Sequence, residues 1–246
     1  MIDRDYDGEF VGDIYSNIVR IQKIVRGHIN RIKRLPQIMY SIKEYLKSSN
    51  INFSLENDDG RINSCNDEEV ILSLLKEKYN ERIRIPKKRM WYDLLVYDMI
   101  YGWLPVNIKT TTTKTSDNTG NLAMCVYAYT DEDLDLDRVN SYDNGKMSKI
   151  LIDKIRKKEY NKKIKKDYYF IVLNKTDSSD VIINSVKGLS ILTPNVNNLP
   201  FQVTWDKNRL YNYEKIENKI KKFIECLKKP KPSWKEEFMT DIRLLS

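Results

Sequence analysis

The apolar positions of this chain change period along its length, and each change marks an element. Between residues 12 and 34, Ile14, Ile18, Ile21, Val25 and Ile29 recur at helical spacing, which predicts an amphipathic helix. Pro36 is placed to open a second helix, running to about Leu46. Residues 48–66 are rich in Asn, Ser, Asp and Gly and read as a loop. Asp67 then caps a helix to about Tyr79, with Val70, Ile71, Leu74 and Leu75 facing inward. Over residues 91–97 and 103–109 the pattern turns aromatic and β-branched on either side of Tyr101-Gly-Trp, which predicts paired strands. Residues 110–121, which begin with four threonines, read as a long polar loop.

The stretch Leu122–Tyr129 suits a helix or a strand; after a central strand, a helix is the simpler crossover. Acidic residues 131–137 read as a further loop or as the start of a helix. A Lys-rich helix follows from Met147 to about Tyr160, with Ile150, Leu151 and Ile155 inward. Tyr168–Asn174 and Asp180–Asn184 read as strands, Thr193–Asn198 as an Asn-rich loop and Phe201–Trp205 as a short strand. Leu210–Leu227 reads as a last helix before Pro230 and Pro232. With no repeat and no clear linker, one mixed α/β domain over residues 1–246 is expected. Its helical N-terminal region covers about 12–80 and its core about 67–205.

Composition narrows this picture. A hydrophobic content of 41% is ordinary for a folded chain and argues against general disorder. A formal charge of +8 attracts polyanions, but does not separate DNA from RNA or a membrane surface, or any of these from a Lys-rich proteome. Arg20, Lys23, Arg26, Arg31, Lys33 and Arg34 give the first helix a basic side, either a solvated face or a phosphate contact. Cys65, Cys125 and Cys226 are odd in number and far apart, against a disulfide framework or a cysteine zinc site. Cys125 and Cys226 sit in apolar helical patterns. The single histidine, His28, excludes a multi-histidine metal site within one subunit and a Ser-His-acid triad. Only 8 glycines are present and none forms a phosphate-cradling loop. No apolar run approaches membrane-spanning length and no signal-peptide pattern opens the chain, so no membrane partner and an intracellular, cytoplasmic setting are expected.

The chemistry concentrates in Asp93-Leu-Leu-Val-Tyr and Pro105-Val-Asn-Ile-Lys109. Two-residue alternation puts Asn107 and Lys109 on one face of the second strand. A carboxylate and an amide oxygen are hard ligands that suit Mg²⁺, and a neighbouring ammonium suits a phosphodiester. Lys109 is then either a base or a stabiliser of charge, and the residues do not choose. Asp98 competes with Asp93 but lies nearer the turn. Glu69 or Glu68 could approach from the preceding helix as a further oxygen donor. The bland reading is a polar sheet face in solvent.

These residues resemble the motif of the PD-(D/E)xK superfamily, and within it the type II restriction endonucleases. The resemblance covers roughly residues 67–130. It places Asp93 as the first acid, Asn107 in the second acidic position and Lys109 as the lysine. Tyr92 stands where the family has proline, and Asn107 is an amide where the family has an acid. Some members, including an enzyme that cuts CCGG, are similar in carrying Pro-x-Asn-Ile-Lys. The resemblance implies a restriction-endonuclease-like mixed central sheet flanked by helices. It implies Mg²⁺-dependent, sequence-specific cleavage of double-stranded DNA, with Asp93 and Asn107 on the metal and Glu69 or Asp98 as further ligands. A homodimer and a cognate DNA methyltransferase are the implied partners. Lys88 and Arg89 belong to a basic run suited to phosphates. Thr111, Thr113, Lys114, Asn118 and Asn121 then lie on one DNA-facing segment, and Asn195, Asn197, Asn198 and Gln202 on a second. The alternative functions are a non-cleaving DNA-binding protein of the same fold and a DNA-repair nickase.

Overall fold

Alternation between residues 94 and 111 builds the centre of the molecule. Strand β2 (Leu94–Asp98) turns back into β3 (Gly102–Thr111), and the two pair antiparallel from Leu94 opposite Val106 to Asp98 opposite Gly102. The turn is held by Asp98, whose Oδ1 accepts from the N–H groups of Ile100 and Tyr101 at 2.8 and 3.0 Å. Gly102 closes it at φ +74°, a conformation open to glycine at little cost. Pro105 pairs with β2 alone, because pairing of β3 with β5 (Tyr169–Asn174) begins one residue later, at Val106. A proline without an N–H is therefore tolerated in an otherwise central strand.

The computed structural model describes residues 16–22, 35–53, 60–86, 90–137, 143–163, 166–195, 200–228, 240 and 242–244. The chain divides into two compact units, Met1–Arg34 and Leu35–Ser246. In the first, residues 16–22 form helix α1, on which Ile18 and Ile21 are exposed. The second unit is an α/β fold. It opens with α2 (Gln37–Ser48), α3 (Gly60–Tyr79) and the two-residue strand β1 (Ile83–Arg84). After β3 come β4 (Ser116–Asn118), α4 (Leu122–Tyr129) and α5 (Asn144–Arg156), and after β5 come β6 (Asp177–Ser185), β7 (Thr193–Pro194), β8 (Phe201–Thr204) and α6 (Ile216–Leu227).

The central sheet is mixed, in the order β1-β2-β3-β5-β6, with β3 and β5 parallel and the other neighbours antiparallel. The stretch between β3 and β5, which contains α4 and α5, supplies the crossover that a parallel pair requires. Alternate residues feed two cores. Leu94, Val96, Leu104, Val106, Ile108, Ile171 and Ile183 pack with Met39, Ile42 and Leu46 of α2 and Ile71 and Leu75 of α3. On the other face Leu95, Phe170, Val172 and Ile182 meet α4, α5 and α6. All eight residues of α4 are buried, which is why Leu122–Tyr129 carries no amphipathic pattern. Cys125 and Cys226 are buried thiols outside any disulfide, as their apolar surroundings in sequence suggested. A second sheet, in the order β4-β8-β7, is antiparallel throughout.

Several boundaries differ from the sequence expectation. Helix α3 starts at Gly60, so Asp67 is inside the helix, buried within 3.5 Å of Lys175 Nζ, and is no cap. Val70 is 47% exposed instead of inward. Residues 116–118 and 193–194 are strands where loops were expected, because each pairs with β8. Helix α6 starts at Ile216 instead of Leu210. Among the described residues no helix is long and apolar enough to cross a membrane.

Gly188 gives a direct test of the packing behind β6. A Cβ there would run into Asn184 Oδ1 and Tyr211 Cδ2. Gly188→Ala is expected to destabilise the fold by about 1–3 kcal/mol, the usual range for overpacking, as a lower midpoint in urea at unchanged slope.

Candidate active site

Asp93 lies one residue before β2 and is anchored at both ends. Its N–H donates to Val106 O at 2.9 Å, which extends the ladder with β3. Just upstream, the Trp91 carbonyl accepts from Tyr168 Oη at 2.9 Å and from Asn121 Nδ2 at 3.2 Å, and the Trp91 and Tyr168 rings stack at 5.6 Å. The backbone entering the site is thus tied to β5 and to the start of α4.

Across the ladder, Leu104, Val106 and Ile108 point into one core, so Asn107 and Lys109 share the opposite face, both half-buried. Asp93 Oδ2 accepts from Ile108 N at 2.7 Å and from Asn107 Nδ2 at 2.5 Å. Among the described residues, both of these bonds fall on Oδ2 and none on Oδ1. Asn107 Oδ1 is buried without a donor. Lys109 Nζ donates to the carbonyl of Asn118 at 3.4 Å.

Helix α3 contributes Glu68, half-buried, while Glu69 is exposed on the next position of the helix. Burial pushes the Asp93 carboxyl up to about 7, and the charge of Glu68 pushes the same way; the Ile108 N–H and the Lys109 ammonium pull it down. The Glu68 carboxyl is also raised, first by burial, with Lys109 lowering it and Glu69 raising it. Asp93, Glu68 and Lys109 therefore form one electrostatic unit. Two carboxyls in it resist sharing negative charge, and one ammonium offsets them only in part.

Among the described residues no group of three or more His, Cys, Asp or Glu side chains could hold a metal ion. Two carboxylates and one amide oxygen remain as candidate oxygen donors. That set fits Mg²⁺, which commonly takes one or two carboxylates and completes its shell with water and phosphate oxygens. Asn107 Oδ1, buried without a donor, and Asp93 Oδ1, which accepts no hydrogen bond from the described residues, are the atoms such an ion would meet.

The other expected site residues are distributed unevenly. Asp98 is 4% exposed and spends its carboxylate on the β2–β3 turn and on Ile38 N, at 3.3 Å, so it is a structural cap and not a ligand. Glu69 faces outward on α3, and the sequence could not separate it from Glu68, whose position differs by one 100° step of the helix. Thr113 is 1% exposed and Asn121 caps α4, its Oδ1 accepting from Met124 N at 2.7 Å; both belong to the scaffold instead of a DNA-facing surface. Thr111 is half-buried at the end of β3, and Lys114 is exposed. Lys88, Arg89, Asn197 and Asn198 lie outside the described residues.

Asn118, Asn195 and Gln202 come together although the chain separates them by up to 84 residues. Asn118 Oδ1 accepts from Asn195 Nδ2 at 2.8 Å and from Gln202 Nε2 at 2.9 Å. The small sheet creates this cluster, since Asn118 and Gln202 are register partners. A separate pocket of about 180 Å³ near the start of α6, lined by Lys187, Tyr211 and Lys219, contains none of these residues. Two of its lysines are held by backbone carbonyls, Lys187 Nζ by those of Asn161 and Lys163 and Lys219 Nζ by that of Leu189, with Glu214 3.5 Å from Lys219 Nζ. Compared with family models, curated proteins and solved structures, the chain matches none of them.

Proposed function

We propose that this chain is a Mg²⁺-dependent endonuclease that hydrolyses phosphodiester bonds in double-stranded DNA at specific sequences, as the type II restriction endonucleases of the PD-(D/E)xK superfamily do. The observation that carries this reading is the convergence of Asp93, Glu68, Asn107 and Lys109 at one place, with carboxyl groups whose charge lacks full compensation. Such perturbed groups cluster at functional sites. Asp93 and Glu68, with the amide oxygen of Asn107, would hold the ion. When bound, Mg²⁺ lowers the pKa of a coordinated water and polarises a phosphoryl oxygen. Lys109 places its ammonium beside the phosphate and offsets charge that grows in the transition state. The Ile108 N–H fixes the carboxylate of Asp93, so the site is oriented before substrate arrives. An amide at position 107 removes one negative charge, so a second ion binds weakly. A palindromic target calls for two symmetric copies of the chain, and a methyltransferase of the same specificity would protect host DNA.

One feature favours a non-cleaving DNA-binding protein: Asn107 donates to the very carboxylate that the ion needs. The two readings part on a simple experiment. Purified protein with phage-sized DNA should yield discrete fragments in Mg²⁺ and none in EDTA. Intact DNA from several unrelated sources, in Mg²⁺ or Mn²⁺, would leave the binding-only reading.

A further inference from the structure

We propose that the outward face of the β4-β8-β7 sheet reads base edges in the major groove, with Gln202 pairing an adenine at or next to the cleaved bond. This rests on the endonuclease reading and adds the element that gives it specificity. The small sheet has two unlike faces. Phe201, Val203 and the following Trp205 are fully buried, and Asp117 on that side accepts from Trp205 Nε1 at 3.0 Å. The other face carries Ser116 opposite Thr204 and Asn118 opposite Gln202, with Thr193 opposite Gln202 on the far side. Every one of these five side chains is an uncharged hydrogen-bonding group, in a chain with 32% charged residues. Neutral amides and hydroxyls lack the charge that dominates phosphate affinity, but they can pair base edges, and the major groove admits a β-ribbon.

The amide network fixes which atoms point outward. Asn118 Oδ1 takes one proton from Gln202 and one from the buried Asn195. Gln202 keeps its Oε1 and its second Nε2 proton, neither of which has a partner among the described residues. That acceptor–donor pair matches N6 and N7 of adenine. Asn118 and Asn195 are positioning residues, since they act through Gln202. Location follows from Lys109, whose Nζ donates to the carbonyl of the same Asn118. The reading amide and the lysine proposed for the phosphate are thus joined through one residue, so the base read lies beside the phosphate attacked.

The test starts from the wild-type cut site, mapped on a DNA of known sequence and placed in a synthetic duplex. Replacing the adenine nearest the cut by 7-deazaadenine deletes only N7. Wild type should lose about 10- to 100-fold in kcat/KM on that duplex. Gln202→Ala and the size-conserving Gln202→Met should show the loss already, with no further drop on the modified duplex. Additive losses, or a cut site without adenine at that place, overturn the inference and leave the endonuclease reading intact. A purely structural Gln202 gives the additive result, because its variants would still sense N7. If Gln202→Ala fails to fold, the Gln202→Met pair decides. Absence of any cleavage by wild type sinks both.

Discussion

Replacing Lys109 by alanine is expected to lower the DNA cleavage rate at saturating Mg²⁺ by about 10²- to 10³-fold while leaving DNA affinity within about threefold. The asymmetry follows from where the ammonium sits. Lys109 is half-buried on the same face as Asn107, and its field reaches both Asp93 and Glu68. Charge on a phosphate grows as the bond breaks, so a fixed cation beside it acts more on the transition state than on the bound ground state. Most of the remaining positive charge of the chain, net +8, is elsewhere, so on this reading the variant would still hold a duplex. Removing the ammonium also raises the carboxyl groups further, which weakens the ion, so the comparison belongs at saturating Mg²⁺. Single-turnover cleavage and metal-free binding measured in parallel separate the two effects. Wild-type cleavage by Lys109→Ala would show that the lysine is misassigned.

The second large effect concerns stability and pH. In the metal-free protein the Asp93 carboxyl is pushed up to about 7, so the fold prefers its neutral form. The resulting stability is complete below about pH 4, where the unfolded group is also neutral, and is lost as pH rises through about 7. Fully realised, a shift of about three pH units corresponds to about 4 kcal/mol, and coupling to Glu68 spreads it over the pair. The metal-free wild type should therefore melt lower at pH 8 than at pH 5. Asp93→Asn should flatten that profile and melt higher than wild type at pH 8, while losing cleavage. Mg²⁺ should raise the wild-type melting point more at pH 8 than at pH 5, and have no such effect on the variant. Calorimetry across this window checks the sign. A variant less stable than wild type at pH 8 would mean that Asp93 is a structural acid paired in the fold.

The site was legible in part because strands write a simple code. The alternation of Leu104, Val106 and Ile108 with Asn107 and Lys109 assigns faces without any knowledge of the fold, and Asp93 follows from the hairpin. Glu68 could not be told from Glu69, since helical phase depends on how α3 docks. The start of α3 was hidden by Gly60, Asn63, Ser64 and Asn66, which read locally as loop, although the helix begins at Gly60. The second sheet was hidden for a different reason. Ser116-Asp-Asn118 and Thr193-Pro194 have no strand pattern of their own and become strands by pairing with Phe201–Thr204. A contact spanning 84 residues leaves no local trace. Thr113 and Asn121 show the converse, polar residues in a loop-like stretch that serve the scaffold.

Digesting a DNA of known sequence and sequencing the ends of every fragment tests the central claim most directly. Metal-dependent hydrolysis at a site built from Asp93, Glu68, Asn107 and Lys109 predicts ends that all share one short flanking sequence and appear only with Mg²⁺. Ends without a common sequence, or fragments that form equally well in EDTA, would contradict it.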